Sequence, residues 1–322
     1  MGRKDNVSKE FLSISEYFAD AFNYYLYDGE RVINPGSLEE RDPLISARLS
    51  GSGKGAVQER IRDILKRCII KSDRRTTYVL LGIENQSELH YAMPVKNMLY
   101  DALNYSDQVR EAGRKHRKKK DTRDSAEFLS GFTTDDRLTP IITLVVYWGD
   151  EDWTTPRKLS EMYSDYDPRL RRFIADYEIN LIVPGEISDF RRFHTELGDV
   201  LEMRKRQNED DVFESMINAR GEGWSLSRES VEVINEFIKA EIDAKQEEGG
   251  RIIMCRASEA LIEKGEEKII ISQICKKLLK GKDVTTIADE IEEPVERVTR
   301  ICTIASKYLP NYDVRKIMEE LR

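Results

Sequence analysis

Residues 139–147, TPIITLVVY, restrict the chain more than any other stretch. Almost every position is apolar or β-branched, so neither face of this strand can meet water. Such a strand sits centrally in a sheet, with helices layered above and below. Suitable neighbours exist. Residues 63–70 (DILKRCII) alternate and then turn apolar, and residues 76–83 (TTYVLLGI) are β-branched, aromatic and apolar. The polar KSDRR between them predicts an antiparallel hairpin. A short fourth strand fits 178–183 (EINLIV), stopped by Pro184-Gly185.

Helical spacing of Phe18, Phe22, Tyr25 and Leu26 predicts a helix over 9–27, ended by the turn signal Asp28-Gly29. Pro94 fits the first turn of a second helix, in which Val95, Met98, Leu99, Ala102, Leu103 and Val109 recur at helical period. From Pro35-Gly36 to Gly51–Gly55 a polar, mobile loop is expected. The order helix, strand, strand, helix, strand, helix, strand predicts an α/β fold with a mixed central sheet flanked by helices. From 209 onward the chain reads as all-helical, punctuated by Gly221, Gly223 and Gly249-Gly250. The expected division is therefore 1–208 and 209–322. Within the second region, 284–304 has the outline of a helix-turn-helix. Its second helix begins EEPVERVTR, with acids where DNA contacts should be, so dimerisation or a structural helical pair is at least as good a reading.

Cys68, Cys255, Cys275 and Cys302 form no CxxC pair, and the three histidines (His90, His116, His194) lack metal-ligand spacing. This argues against zinc and for free thiols in a reducing compartment. No apolar run approaches a bilayer span, and MGRKDNVSKEF fits neither a secretory signal nor a myristoylation site. A cytoplasmic protein without a membrane partner is expected. Gly51–Gly55 lacks the spacing of a phosphate loop. The net charge of −8 argues against indiscriminate nucleic-acid binding, but its distribution is uneven. Residues 110–123 hold eight Lys and Arg against Glu111 and Asp121. Arg114, Lys115, Arg117, Lys118, Lys119 and Lys120 can meet phosphates, with affinity falling as salt rises. Cations at a helix C-terminus are the ordinary alternative.

The hairpin carries the chemistry. Asp63 and Glu84 are equidistant from its midpoint, so without a bulge they oppose each other, with Cβ atoms about 4.5–5.5 Å apart. Two such carboxylates repel unless a cation lies between them, and magnesium takes one or two carboxylates with waters and phosphate. Gln86 shares the face of Glu84 and can orient an attacking water. On spacing alone, two ordinary strand-end charges facing solvent is the stronger reading. Trp148 and Trp153 read as core aromatics, and Asp150-Glu151-Asp152 as a solvated loop.

RDILKRCIIKSDRRTTYVLLGIENQSELHYAMPVKNMLYDALNY resembles the Rpn family of recombination-promoting nucleases, also described as transposases, a branch of the PD-(D/E)XK superfamily. The resemblance rests on Asp63, on Ile83-Glu84-Asn85-Gln86-Ser87, and on Met93-Pro94, Lys96 and Tyr100. It extends over EFLSGF and TPIITLVVYWG and covers about residues 10–205. It implies a PD-(D/E)XK, restriction-endonuclease-like αβββαβ core and Mg²⁺- or Mn²⁺-dependent cleavage of double-stranded DNA. By position, Asp63 and Glu84 become metal ligands, and Gln86 stands where the superfamily has Lys. That departure weakens the expected charge stabilisation. An acid from a preceding helix often completes such sites, and Asp20 and Glu59 are the candidates. The expectation is a DNA endonuclease of recombination, mobile elements or defence, possible as a homo-oligomer through its C-terminal helices. The alternative is a catalytically weak or inactive DNA-binding or interaction protein on the same scaffold.

Overall fold

The structure, a computed structural model, describes residues 2–41, 44–48, 57–61, 63–72, 75–209, 211–243 and 247–321. It divides into two compact units, Met1–Val212 with Ser227–Lys239, and Phe213–Leu226 with Ala240–Arg322.

The first unit opens with helices α1 (Arg3–Ser13) and α2 (Ser15–Tyr27). The single helix expected over 9–27 is thus two, divided at Ile14, whose extended backbone (φ −64°, ψ 125°) breaks the ladder. Strands β1 (Leu38–Glu40), β2 (Leu44–Arg48) and β3 (Val57–Ile61) follow. The first two occupy part of the stretch expected as a loop, and 49–56 lie outside the described residues. The hairpin is β4 (Ile64–Ser72) and β5 (Arg75–Gln86), followed by α3 (Met93–Lys119), α4 (Ser125–Ser130), β6 (Ile141–Tyr147) and β7 (Asn180–Ile182). Helix α5 spans Glu196–Lys205, α6 (Val212–Arg220) enters the second unit, and α7 (Arg228–Ile238) returns to the first.

Five strands form one mixed sheet in the order β1-β4-β5-β6-β7. The β1, β4 and β5 pairings are antiparallel; β5, β6 and β7 are parallel. As TPIITLVVY predicts, β6 lies between two strands, and Leu144, Val145 and Val146 are buried. No α-helix separates β6 from β7, contrary to the order read from sequence. Only two 3₁₀ turns, Leu159–Met162 and Pro168–Phe173, lie there. Leu170 and Phe173 face solvent, so this segment has no apolar stripe with which to dock a longer helix.

The sheet's two faces differ. On one, Ile64, Leu81, Ile83 and Leu144 are buried along with Phe11 and Leu12 of α1 and Phe18 and Phe22 of α2. Each such side chain contributes about 1.5–3 kcal/mol. Lys66, 1% exposed, belongs to this face. Its Nζ donates to Ser13 O (2.6 Å) and Ser15 Oγ (3.2 Å), at the junction of α1 and α2. On the other face lies α3. Its buried stripe is Met93, Asn97, Tyr100 and Asn104, while Val95, Met98 and Leu99, the periodic apolar set of the sequence, are exposed.

The second unit holds β8 (Ser225–Leu226), β9 (Glu247–Glu248) and β10 (Arg251–Ile253) in the order β8-β10-β9. The region expected as all-helical therefore contains a small sheet. Helices α8 (Met254–Leu278), α9 (Val284–Glu290), α10 (Val295–Ala305) and α11 (Val314–Leu321) follow. Ile271, Ile274, Ile287, Val298, Ile301 and Ile317 form their common core. The pair α9–α10 matches the helix-turn-helix outline, yet Arg297 pairs with Glu293 and Arg300 donates to Leu321 O (3.0 Å). Among the described residues no helix is long and apolar enough to cross a membrane.

Candidate functional site

Pairing runs without interruption from Ser72↔Arg75 to Ile64↔Ile83, and Asp63 and Glu84 are the next residues of the two segments beyond that last pair. Alternation along the strands puts Glu84, Gly82 and Leu80 on the α3 face with Leu65 and Arg67. Asp63 stands just outside β4, and its Oδ2 accepts the Asn85 N–H (2.8 Å), which ties the acid to the end of β5. Glu84 is 1% exposed, deep enough that an ionised carboxylate needs a cationic partner.

That partner is Lys96. Its Nζ lies 2.9 Å from Glu84 Oε2. The geometry follows from the chain. The strand ends at Gln86, α3 starts at Met93-Pro94, and its fourth residue, Lys96, swings back over the strand end. Burial pulls the Lys96 ammonium down, but Glu84, with help from Tyr100 and Asp63, more than offsets this and holds it above its usual range. Burial likewise pushes the Asp63 carboxyl up. The Asn85 amide, Lys96 and Lys9 oppose that shift only in part, and Asp5 adds to it. Burial and the Lys96 ammonium push the nearby His90 imidazole below its usual range, leaving it neutral.

Gln86 is turned elsewhere. Its Nε2 donates to the carbonyl of Asn85 (2.8 Å), so the amide expected to orient a water is engaged with the main chain. The cation that lies against Glu84 comes from α3, which strand spacing alone does not reveal.

Of the two helix-borne acids considered, Asp20 is engaged elsewhere. Its carboxylate is 3% exposed and accepts His194 N (3.0 Å), Thr195 N (2.9 Å) and Thr195 Oγ1 (2.6 Å), fixing the start of α5. Glu59 lies in β3 opposite Ser46, and its side chain falls outside the described residues. The acid a preceding helix does bring to Asp63 is Asp5 of α1. Its Oδ1 accepts Ser87 Oγ (3.0 Å) just beyond β5. Sequence reading missed it because RKDN precedes the first apolar-periodic residue and looks like a solvated terminus.

Asp63 and Glu84 are both oxygen donors suited to a hard cation, and burial destabilises the charged form of Asp63. A positive ion would relieve that cost. Among the described residues no group of three or more His, Cys, Asp or Glu is placed to hold a metal. The acidic run 150–152 has a different role: Asp150 pairs with the buried Arg204, whose Nε donates to Trp148 O (2.8 Å).

A cleft of about 720 Å³ lies on the same sheet face. Its floor includes Leu65 and Leu80, and α3 and the segment 132–139 wall it. Three of the six basic residues singled out by sequence, Arg114, Lys115 and Lys119, line it; Arg117, Lys118 and Lys120 do not. Arg110 joins them from the same helix, and Arg41, Arg67 and Arg137 from distant parts of the sequence. Trp148 and Trp153 are buried, as expected of core aromatics.

A family model described as putative transposase, YhgA-like, matches residues 54–219. The chain belongs to that family. The family is PD-(D/E)XK/Rpn-like, in agreement with the resemblance carried by Asp63, Glu84 and Lys96. Neither a curated protein nor a solved structure matches the chain. Membership supports a mobile-element-associated, nuclease-like role with DNA as partner.

Proposed function

We propose that this protein is a metal-dependent DNA endonuclease on a PD-(D/E)XK core, acting at Asp63, Glu84 and Lys96. The observation that carries the reading is the Lys96 ammonium 2.9 Å from Glu84, at the end of β5 where Asp63 accepts the Asn85 N–H. The order α2, β1, β4, β5, α3, β6, with β6 parallel to β5, also accords with an αβββαβ core. Asp63 and Glu84 would hold Mg²⁺ or Mn²⁺. When bound, such an ion polarises the phosphodiester and lowers the pKa of an attacking water. Lys96 supplies fixed positive charge where negative charge grows on the phosphate, the part left vacant by glutamine at 86. Asn85 N–H keeps Asp63 aimed at the strand end, and Asp5 adds negative charge from α1.

Purified protein should nick supercoiled plasmid with Mg²⁺ or Mn²⁺ and not with EDTA. Asp63→Ala should abolish nicking with a nearly unchanged melting temperature, because this carboxylate is destabilised by burial in its working state. Undiminished nicking by the variant would refute the assignment. A second reading, a DNA-binding protein without catalysis, draws on the same ion pair, since Lys96 neutralises Glu84 with no metal. Metal uptake separates the two.

A further inference from the structure

We infer that the basic cleft on the same sheet face as Glu84 seats a short single-stranded polynucleotide, so that the site acts where a strand is unpaired, as at a flap, a fray or the transiently open base pairs of a supercoiled plasmid. The inference rests on the nuclease reading for what happens at Glu84, but not for what the cleft binds.

Position comes first. Leu80 on the cleft floor is four residues from Glu84 along β5, about 13 Å. Asn104 in the α3 wall is eight residues from Lys96, about 12 Å. Strand and helix thus agree that the cleft begins roughly four stacked nucleotides from the acids, at about 3.4 Å each. A strand lying in it points along the shared face toward them.

Size and chemistry come next. A volume of about 720 Å³ suits a few nucleotides and is far too small to enclose a duplex. Among the described residues, seven Lys and Arg against Asp107, Glu111 and Asp136 line it; Arg110 pairs with Asp107 and Arg67 with Glu39 (2.8 Å), and the lining keeps an excess of positive charge for phosphates. Leu65, Leu80, Ala112, Phe132 and Leu138 give it an apolar floor and wall. A duplex hides its base faces and needs no such floor, whereas an unpaired strand exposes them and gains from stacking on apolar and aromatic groups. Phe128 of α4, 61% exposed, adds a further ring on the segment that leads to this wall.

The wall is built to stay in place. Gly113 of α3 and Gly131 approach so closely that a Cβ on Gly113 would lie 3.2 Å from Gly131 O. His116 bridges Asp121 (2.6 Å) and Asp136 (2.8 Å), and Asp136 also accepts Thr133 N (2.7 Å).

Fluorescence anisotropy in EDTA tests this without catalysis. Labelled dT12 should bind at least tenfold tighter than a blunt 12-base-pair duplex. Arg114→Glu with Lys115→Glu should weaken dT12 strongly and lower its salt slope by about 1.4, two contacts at about 0.7 each. Arg117→Glu with Lys118→Glu, the same charge change on the same helix outside the cleft, should shift it less than threefold. Arg67→Glu, on the strand side, checks the result should the helix variant misfold. Equal effects of the two helix pairs, or duplex binding as tight as dT12, would overturn the inference. Displacement of dT12 by millimolar inorganic phosphate alone would also overturn it. An rU12 arm distinguishes RNA from DNA as the strand's source, and tight binding of either supports the cleft. Metal-free dT12 binding without any nicking would sink the nuclease reading and leave the cleft. Nicking with no preference for dT12 would do the reverse.

Discussion

Each face of the central sheet has a buried or half-buried lysine where strand meets helix, Lys66 from β4 and Lys96 from α3, with opposite consequences. Lys66 lies on the closed face, 1% exposed, its ammonium engaged by Ser13 O and Ser15 Oγ where α1 meets α2. Lys96 lies on the α3 face, its side chain 26% exposed and set against the buried Glu84. The closed face uses its polar groups to join elements: Lys66 for the α1–α2 junction, Asp20 for the start of α5. The α3 face instead sets a lysine against a buried acid, Lys96 against Glu84, at the end of β5 where Asp63 accepts the Asn85 N–H. Lys66, held by main chain, a hydroxyl and the Glu40 carboxylate (3.3 Å), joins elements, whereas Lys96 is set against a buried acid at a strand end, the kind of charge placement that functional sites use.

Four substitutions test that contrast. The largest effect belongs to Glu84→Gln, which should reduce metal-dependent nicking by a factor on the order of 10³ or more. Normal nicking by this variant would place the chemistry elsewhere. Lys96→Met should cost about 10²–10³-fold in turnover while retaining metal uptake, a split that separates charge stabilisation from ligation. Full turnover in Lys96→Met would reduce Lys96 to a structural residue like Lys66. On the closed face the readout changes. Asp20→Ala orphans the amides of His194 and Thr195 and should cost about 2–4 kcal/mol of stability in urea unfolding. Activity per folded molecule should hold, and lost metal binding at unchanged stability would instead move Asp20 into the site.

The smallest effect is at His116. Asp121 and then Asp136 hold its imidazole above the usual range. A raised folded pKa means that the contribution of the bridge is full below the imidazole's ordinary 6.5 and fades as pH climbs through the raised value. Amide exchange over 131–139, corrected for its intrinsic rate, should therefore be slower at pH 6 than at pH 8.5. His116→Gln should flatten that difference.

The sequence disclosed most where periodicity and pairing agree. The two apolar stretches either side of KSDRR pair as an antiparallel hairpin from Ser72↔Arg75 to Ile64↔Ile83, as their pattern predicts. TPIITLVVY announced the central strand. Failures share a cause, because side chains meet across elements that sequence spacing does not connect. Lys96 and Glu84 are separated by a turn and the start of a helix, so the cation that lies against Glu84 was visible only as a residue of the family pattern. Val95, Met98 and Leu99 have the right period yet face outward, since Asn97, Tyr100 and Asn104 occupy the buried stripe. Of the run 114–120, helical geometry sends only Arg114, Lys115 and Lys119 into the cleft, where arginines from positions 41, 67, 110 and 137 meet them.

Manganese titration followed by electron paramagnetic resonance tests the acid pair most directly. An ion held between strands requires about one Mn²⁺ taken up per wild-type chain and none by Asp63→Ala. Equal uptake by the two proteins would contradict it.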